Sequence, residues 1–248
     1  MILRASHFPP NLTHAFSTRR GGVSEGRYAS LNLGGRWGDE PDAVEENLRR
    51  LAQWCEYEPS ALVRVRQVHG DLVVPVTEVS AGTEADGIWA AREHSSCVVG
   101  VMTADCVPIL ICDRSGSLVA ATHSGWRGTV ANIAARTVEA LCGAGAKPED
   151  LLAAIGPCIE VEAFEVGEEV AEQFESRFVS REFGPKPHVD LVGCVRAQLL
   201  EAGLSAVNIE RVGSCTHRDP DTYFSYRRDG AGIGQQLSVI GWRTKSCN

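Results

Sequence analysis

Three side chains able to bind a metal or act as nucleophiles occupy matching places in this sequence. His69, Cys106 and His123 each stand at the end of an apolar run beside small, turn-prone residues. The stretch Met102 to Gly128, MTADCVPILICDRSGSLVAATHSGWRG, holds two of them. Cys106 follows Thr103, Ala104 and Asp105 and precedes Val107 and Pro108, which places it at a loop-to-strand junction. His123 closes the run Leu118 to Thr122 and opens the turn Ser124 to Gly128, while His69 ends an alternating stretch and is followed by Gly70. Groups held by a rigid scaffold at the mouth of a sheet carry chemistry more often than groups inside it. Cys112, within an apolar run, reads instead as a small hydrophobe.

A thiolate and two imidazoles suit a catalytic zinc site, because three protein ligands leave the fourth tetrahedral position open to water or substrate. Copper accepts the same donors. A rival reading makes Cys106 a nucleophile activated by His123, with Asp105 or His69 as the orienting group. Both readings need the thiolate, so they use the same atoms. The spacings match no short metal motif, and a single histidine at a strand end is as often structural as functional.

Arginines in glycine-rich loops suggest a second element of the site. Arg19 and Arg20 precede Gly21 and Gly22, Arg127 lies between Trp126 and Gly128, and Arg227 and Arg228 precede Asp229 and Gly230. The guanidinium fork suits phosphate or carboxylate, and neighbouring glycines let a ligand approach backbone N–H groups. Gly128 also reads as the start of a helix, whose N-terminus favours an anion. Most such arginines are surface charges or ion-pair partners. Tyr223, Phe224 and Tyr226 either stack on a base or pack the core.

The elements that must position these groups follow from periodicity. Asp39, Pro41 and the apolar series Val44, Leu48, Leu51, Ala52 and Cys55 predict a helix capped by Asp39. Two-residue alternation predicts a strand over Ala61 to His69, followed by Leu72 to Val76. Further strands are expected at Cys97 to Met102, Val107 to Cys112, Leu118 to His123, Leu151 to Ile155, Val207 to Val212 and Leu237 to Trp242. Helices are expected from Val130 to Leu141, along Val170, Phe174 and Phe178, and from Leu191 to Ala202. Phe16 to Gly35 reads as loop bounded by short strands.

The chain has 248 residues, 44% hydrophobic and 23% charged, so it can bury a core as one mixed α/β domain over residues 1–248. A net charge of −8 argues against a nucleic-acid surface. No apolar run is long enough for a transmembrane helix, so no membrane partner is expected. The opening residues MILRASHFPPNLTH lack the features of a secretory signal peptide. Nine cysteines without a C-x-x-C pair fit reduced thiols in the cytoplasm.

The ordered segments TRRGGVSEGRYASLNLG, RQVHG, EADG, TADCVPIL, HSGWRGT, AIGPCI, FEVG and YFSYRRDG run through nearly the whole chain. In them the sequence resembles the YfiH-like family, known as polyphenol oxidoreductase laccases, peptidoglycan editing factors and multifunctional purine nucleoside phosphorylases. The resemblance implies a four-layer α/β/β/α sandwich with mixed sheets and a metal set falling on His69, Cys106 and His123, which would also be the catalytic residues. It implies zinc, with copper as the other candidate. The activities it implies are phosphorolysis of adenosine, inosine and 5'-methylthioadenosine to base and pentose 1-phosphate, and deamination of adenosine.

Arg19, Asn32 and Arg127 are the expected contacts to phosphate or ribose, and a monomer is favoured. Departures fall at Ser124, at Cys194 to Arg196, and at Ile233 to Gln235, where the family usually shows Thr-Gly-Arg; Gln235 thus replaces a cation. A cysteine-type amidase acting on peptidoglycan precursors and a laccase-like polyphenol oxidase are the alternatives. Multicopper chemistry fares poorly on sequence, because no H-x-H pair occurs and Met1 and Met102 are the two methionines. A non-enzymatic binding module has no apolar or basic stretch to recommend it.

Overall fold

The structure is a computed structural model that describes residues 1–35 and 37–243; Cys247, among the nine cysteines, lies outside them. Its central feature is a pair of facing sheets whose central strands are buried on both sides, which is why most of those strands read as apolar runs. The six-stranded sheet has the order β12(Ile209–Arg211), β9(Leu151–Ile155), β7(Val107–Asp113), β8(Leu118–Ser124), β5(Gly87–Ala91), β4(Val73–Pro75). The five-stranded sheet has the order β1(Ile2–Leu3), β2(Leu12–Ser17), β13(Gln236–Trp242), β6(Val98–Thr103), β3(Leu62–Val63). Both are mixed: β12 with β9, β4 with β5 and β3 with β6 are parallel pairs, and the other pairs are antiparallel. A two-stranded ribbon, β10(Val179–Ser180) with β11(His188–Val189), lies apart.

Side-chain parity along each strand assigns the layers, since successive residues point to opposite faces. In β7, Val107, Ile109 and Ile111 join one core with Ala134, Val138 and Leu141 of α3(Ile133–Gly143) and Val195 and Leu199 of α5(Leu191–Glu201). Leu110 and Cys112 point the other way, to a second core between the sheets that also holds Phe16, Val99, Val101 and Ile240. On the far side of the five-stranded sheet, Val98, Leu237 and Val239 pack on Leu51 and Ala52 of α1(Pro41–Trp54). The result is the expected single-domain α/β/β/α sandwich. Each fully buried Leu, Ile or Val contributes about 1.5–3 kcal/mol.

Several local expectations need correction. The expected helix over Val130 to Leu141 is two helices, α2(Trp126–Val130) and α3, divided at Asn132, whose φ of 62° breaks the turn. Along Val170 to Phe178 there is one short helix, α4(Glu168–Ala171), and a 3₁₀ turn at Ser176–Phe178. The N-cap of α1 is Glu40; the Asp39 carboxylate instead binds Ser24 and the Asn32 amide. Only Leu62–Val63 of the Ala61 to His69 stretch is ladder strand, with one further bridge between Arg66 and Glu84. Within the expected loop of Phe16 to Gly35, Phe16 and Ser17 belong to β2. The short helix α6(Tyr226–Asp229) completes the fold, its Ser225 side chain accepting from the Arg228 N–H.

Candidate metal centre

Register brings the three candidate ligands together. In the β7–β8 pair Val107 lies opposite Ser124 and Pro108 opposite His123, so Cys106, just before β7, meets the Gly125 turn just after β8. In the β5–β8 pair Gly87 lies opposite Thr122, which sets Asp86 beside His123. His123 donates its backbone N–H to the Asp86 carbonyl at 2.7 Å. The loop leading to β4 then carries His69 over the same sheet end. Candidate ligand atoms of His69, Cys106 and His123 all lie within 4.8 Å of one another, and the two imidazoles meet edge to face at 4.8 Å between centroids. His69 is exposed, Cys106 intermediate and His123 buried, so the set opens to solvent on one side.

Gly125 sits where the three side chains converge. A Cβ there would lie 2.9 Å from His69 Cδ2, 3.2 Å from Cys106 Sγ and 3.6 Å from His123 Cε1. The first distance is too short for a side chain without a shift of the ring. Any larger residue would therefore displace the His69 ring.

The group that orients the set is Asp86, which is fully buried. Its Oδ1 accepts from the His69 N–H at 3.0 Å and contacts His123 Nδ1 at 2.7 Å; its Oδ2 accepts from the N–H groups of Val68 and Gly70 at 3.1 and 2.7 Å. One carboxylate thus fixes the His123 ring and the turn at His69, whose φ is 62°. With Nδ1 held by Asp86, Nε2 is the nitrogen of His123 free for a metal, the usual arrangement of an outer carboxylate behind a ligand histidine. Asp105 does different work from the orienting role weighed for it. Its carboxylate accepts from Thr216 Oγ1 and from the Arg227 N–H, both at 2.6 Å, and so ties the loop before Cys106 to the C-terminal segment.

Burial alone would raise the Cys106 pKa, but the His123 charge and hydrogen bonds with His123 and His69 outweigh it and hold the thiol well below its ordinary value. Burial likewise opposes a charge on His123, yet the Cys106 thiolate and the Asp86 carboxylate hold its pKa up. A deprotonated thiol is what metal binding and nucleophilic attack both need. Sulfur and imidazole donors at this spacing fit zinc or copper.

A cavity of about 880 Å³ opens over this set. Its walls include Trp37, Arg64, Met102, Phe164, Tyr226 and Gln235. Arg19, Asn32 and Arg127 do not line it. Arg19 donates to the carbonyls of Ala29 and Pro220 and lies over the Phe224 ring; Asn32 is fully buried, bridging Gly34, Asp39 and Gln235; Arg127 lies over Trp126. Tyr223 and Phe224 are core residues, while Tyr226 is exposed beside Trp37 at the cavity wall. Asp86 and Gly125 also belong to the site; EADG and HSGWRGT contain them, but neither residue type signals its role in the sequence.

The chain is similar over most of its length to proteins of one family. The profile described as multi-copper polyphenol oxidoreductase laccase matches residues 13–243. A purine nucleoside phosphorylase of Deinococcus radiodurans is 41% identical, the match covering 97% of this chain and 92% of that protein. The adenosine deaminase RL5, from an unknown prokaryotic organism, is 37% identical over 91% of this chain and 92% of its own. The crystal structure of Neisseria meningitidis protein NMB0706 superposes with a TM-score of 0.86 at 34% identity, covering 98% of both chains. The protein is an enzyme and belongs to the family described as multi-copper polyphenol oxidoreductase laccase, the YfiH-like family that its motifs resemble.

Proposed function

We propose that this chain is a cytoplasmic, monomeric, zinc-dependent enzyme of purine nucleosides, acting on adenosine, inosine and 5'-methylthioadenosine with phosphate and deaminating adenosine. The observation that carries the reading is the convergence of His69, Cys106 and His123 at the floor of a cavity wide enough for a nucleoside. Names of relatives at 37–41% identity support it. His69, Cys106 and His123 would hold the metal, which when bound supplies Lewis acidity and makes hydroxide available near neutral pH. Asp86 keeps the proton on His123 Nδ1. Trp37 and Tyr226 offer flat apolar surface for a base. In phosphorolysis a phosphate oxygen bonds the anomeric carbon as the glycosidic bond breaks, and the base leaves with the electron pair and takes a proton. The test is chromatography of a nucleoside panel with and without phosphate. Base and pentose 1-phosphate appearing only with phosphate support phosphorolysis; equal base release without it removes that assignment.

A second reading has its own observation. Cys106, His123 and Asp86 form a continuous thiol–imidazole–carboxylate chain, the arrangement of a cysteine amidase acting on peptidoglycan precursors. A covalent acyl adduct on Cys106, seen by intact mass, would establish it. The laccase-like reading keeps the support of the family description. Its donor count is low, since the described residues contain one cluster of three or more metal-ligating groups.

A further inference from the structure

Among the described residues three arginines line the cavity, and they differ in what holds them. Arg66 pairs with Glu84 at 2.8 Å. Arg227 lies over the Phe164 ring at 5.2 Å and donates to the Glu165 carbonyl at 2.7 Å. Arg64 has no carboxylate partner among the described residues. Its Nη1 reaches Met102 Sδ at 3.6 Å, and a thioether is a weak acceptor. The surrounding walls strip enough water to hold its pKa below the ordinary arginine value, while the side chain stays accessible from the cavity. A guanidinium losing hydration without a counter-charge is stabilised when an anion arrives.

The position is also braced. Met102 exchanges both backbone groups with the Gln67 side chain, its N–H donating to Gln67 Oε1 at 2.7 Å and its carbonyl accepting from Nε2 at 2.8 Å. This strap joins β6 to the segment between Arg64 and His69. One short stretch of backbone therefore carries a cation with no carboxylate partner among the described residues and a candidate metal ligand to the same cavity.

We infer that Arg64 is the residue that holds phosphate in this cavity, the place for which Arg19 and Arg127 were expected. The inference rests on the phosphorylase reading for its substrate. Arg64 takes no part in bond making; it binds the oxyanion whose oxygen attacks the anomeric carbon.

Two measurements on the intact, metal-loaded protein test this. Calorimetric titration with inorganic phosphate is compared for wild type, Arg64→Gln, Arg64→Lys and the surface control Arg181→Gln. Phosphate is then varied in inosine phosphorolysis. Arg64→Gln is expected to weaken phosphate binding and raise the phosphate KM by about tenfold or more, with inosine KM little changed; Arg64→Lys falls between, because a point charge lacks the fork. Arg181→Gln binds phosphate as wild type does. Phosphate binding by a folded Arg64→Gln equal to that of wild type overturns the inference, and so does a wild type that binds no phosphate. If wild type binds phosphate through Arg64 yet releases no base, the phosphorylase reading fails and the anion site stands.

Discussion

The carboxylate of Asp86 accepts three backbone N–H bonds across Val68 to Gly70 and one contact from His123, so two of the three candidate ligands depend on one buried side chain. Asp86→Asn would turn an amide donor toward groups that already donate. Metal affinity should fall by about 10–100-fold, measured by competition with a chromophoric chelator. The two cysteines of the segment Cys106 to Cys112 should separate cleanly. Cys106→Ala is expected to lose activity with little change in melting temperature, whereas Cys112→Ala keeps activity and loses on the order of 1 kcal/mol from the core between the sheets. Equal loss of activity in both would point to folding. The convergence of His69, Cys106 and His123 was legible because each stands beside a turn at the end of an apolar run and because the family motifs fall on them. Asp86 was not, because a carboxylate before a glycine reads as an exposed turn until pairing of β5 with β8 buries it.

Strand register makes the site, and a single methyl group can test that. Gly125→Ala should leave the fold intact, since the turn lies at the end of β8, but push His69 and Cys106 apart. Lower metal affinity with an unchanged circular dichroism spectrum is the expected result. The apolar strands β6 to β9 and β13 were legible because both their faces are buried. β2 was not, because LTHAFS is fully buried yet half polar: Thr13 donates to the Cys55 carbonyl, His14 accepts from the Ala5 N–H, and Ser17 Oγ accepts from the Leu237 N–H. Those partners come from other parts of the chain, His14 Nδ1 has none among the described residues, and no local pattern announces them. The single helix expected after Gly128 divides because Asn132 takes the left-handed conformation, which its apolar neighbours do not signal.

The layered molecule as a whole should be sensitive to acid through His14. Burial is the main cause that lowers its pKa to about 4, partly offset by the Ala5 carbonyl, which can accept from Nε2 of the charged ring. The unfolded chain binds a proton near the ordinary pKa of about 6.5, so it takes up more protons than the folded chain below that pH. The His14 contribution to stability is therefore complete above about pH 6.5 and lost as pH falls to about 4, amounting to roughly 3 kcal/mol. Denaturant midpoints of wild type and His14→Gln should converge over that window. The four-layer plan was implied by motif resemblance, and the parity of β7 supplies its physical reason. That Arg64 faces the cavity without a carboxylate partner among the described residues was not legible, because its placement depends on where Met102 and Gln67 tie the neighbouring strand.

His69, Cys106 and His123 are expected to hold an ion on which nucleoside chemistry depends. Metal content by mass spectrometry and nucleoside turnover should be measured on the same samples of wild type and Cys106→Ala, before chelation, after it, and after zinc is restored. About one metal per chain is expected in wild type, with turnover falling and returning in proportion to it, and neither metal nor turnover in a folded Cys106→Ala. Full turnover by the stripped wild type, or an unchanged metal content in Cys106→Ala, would contradict this expectation.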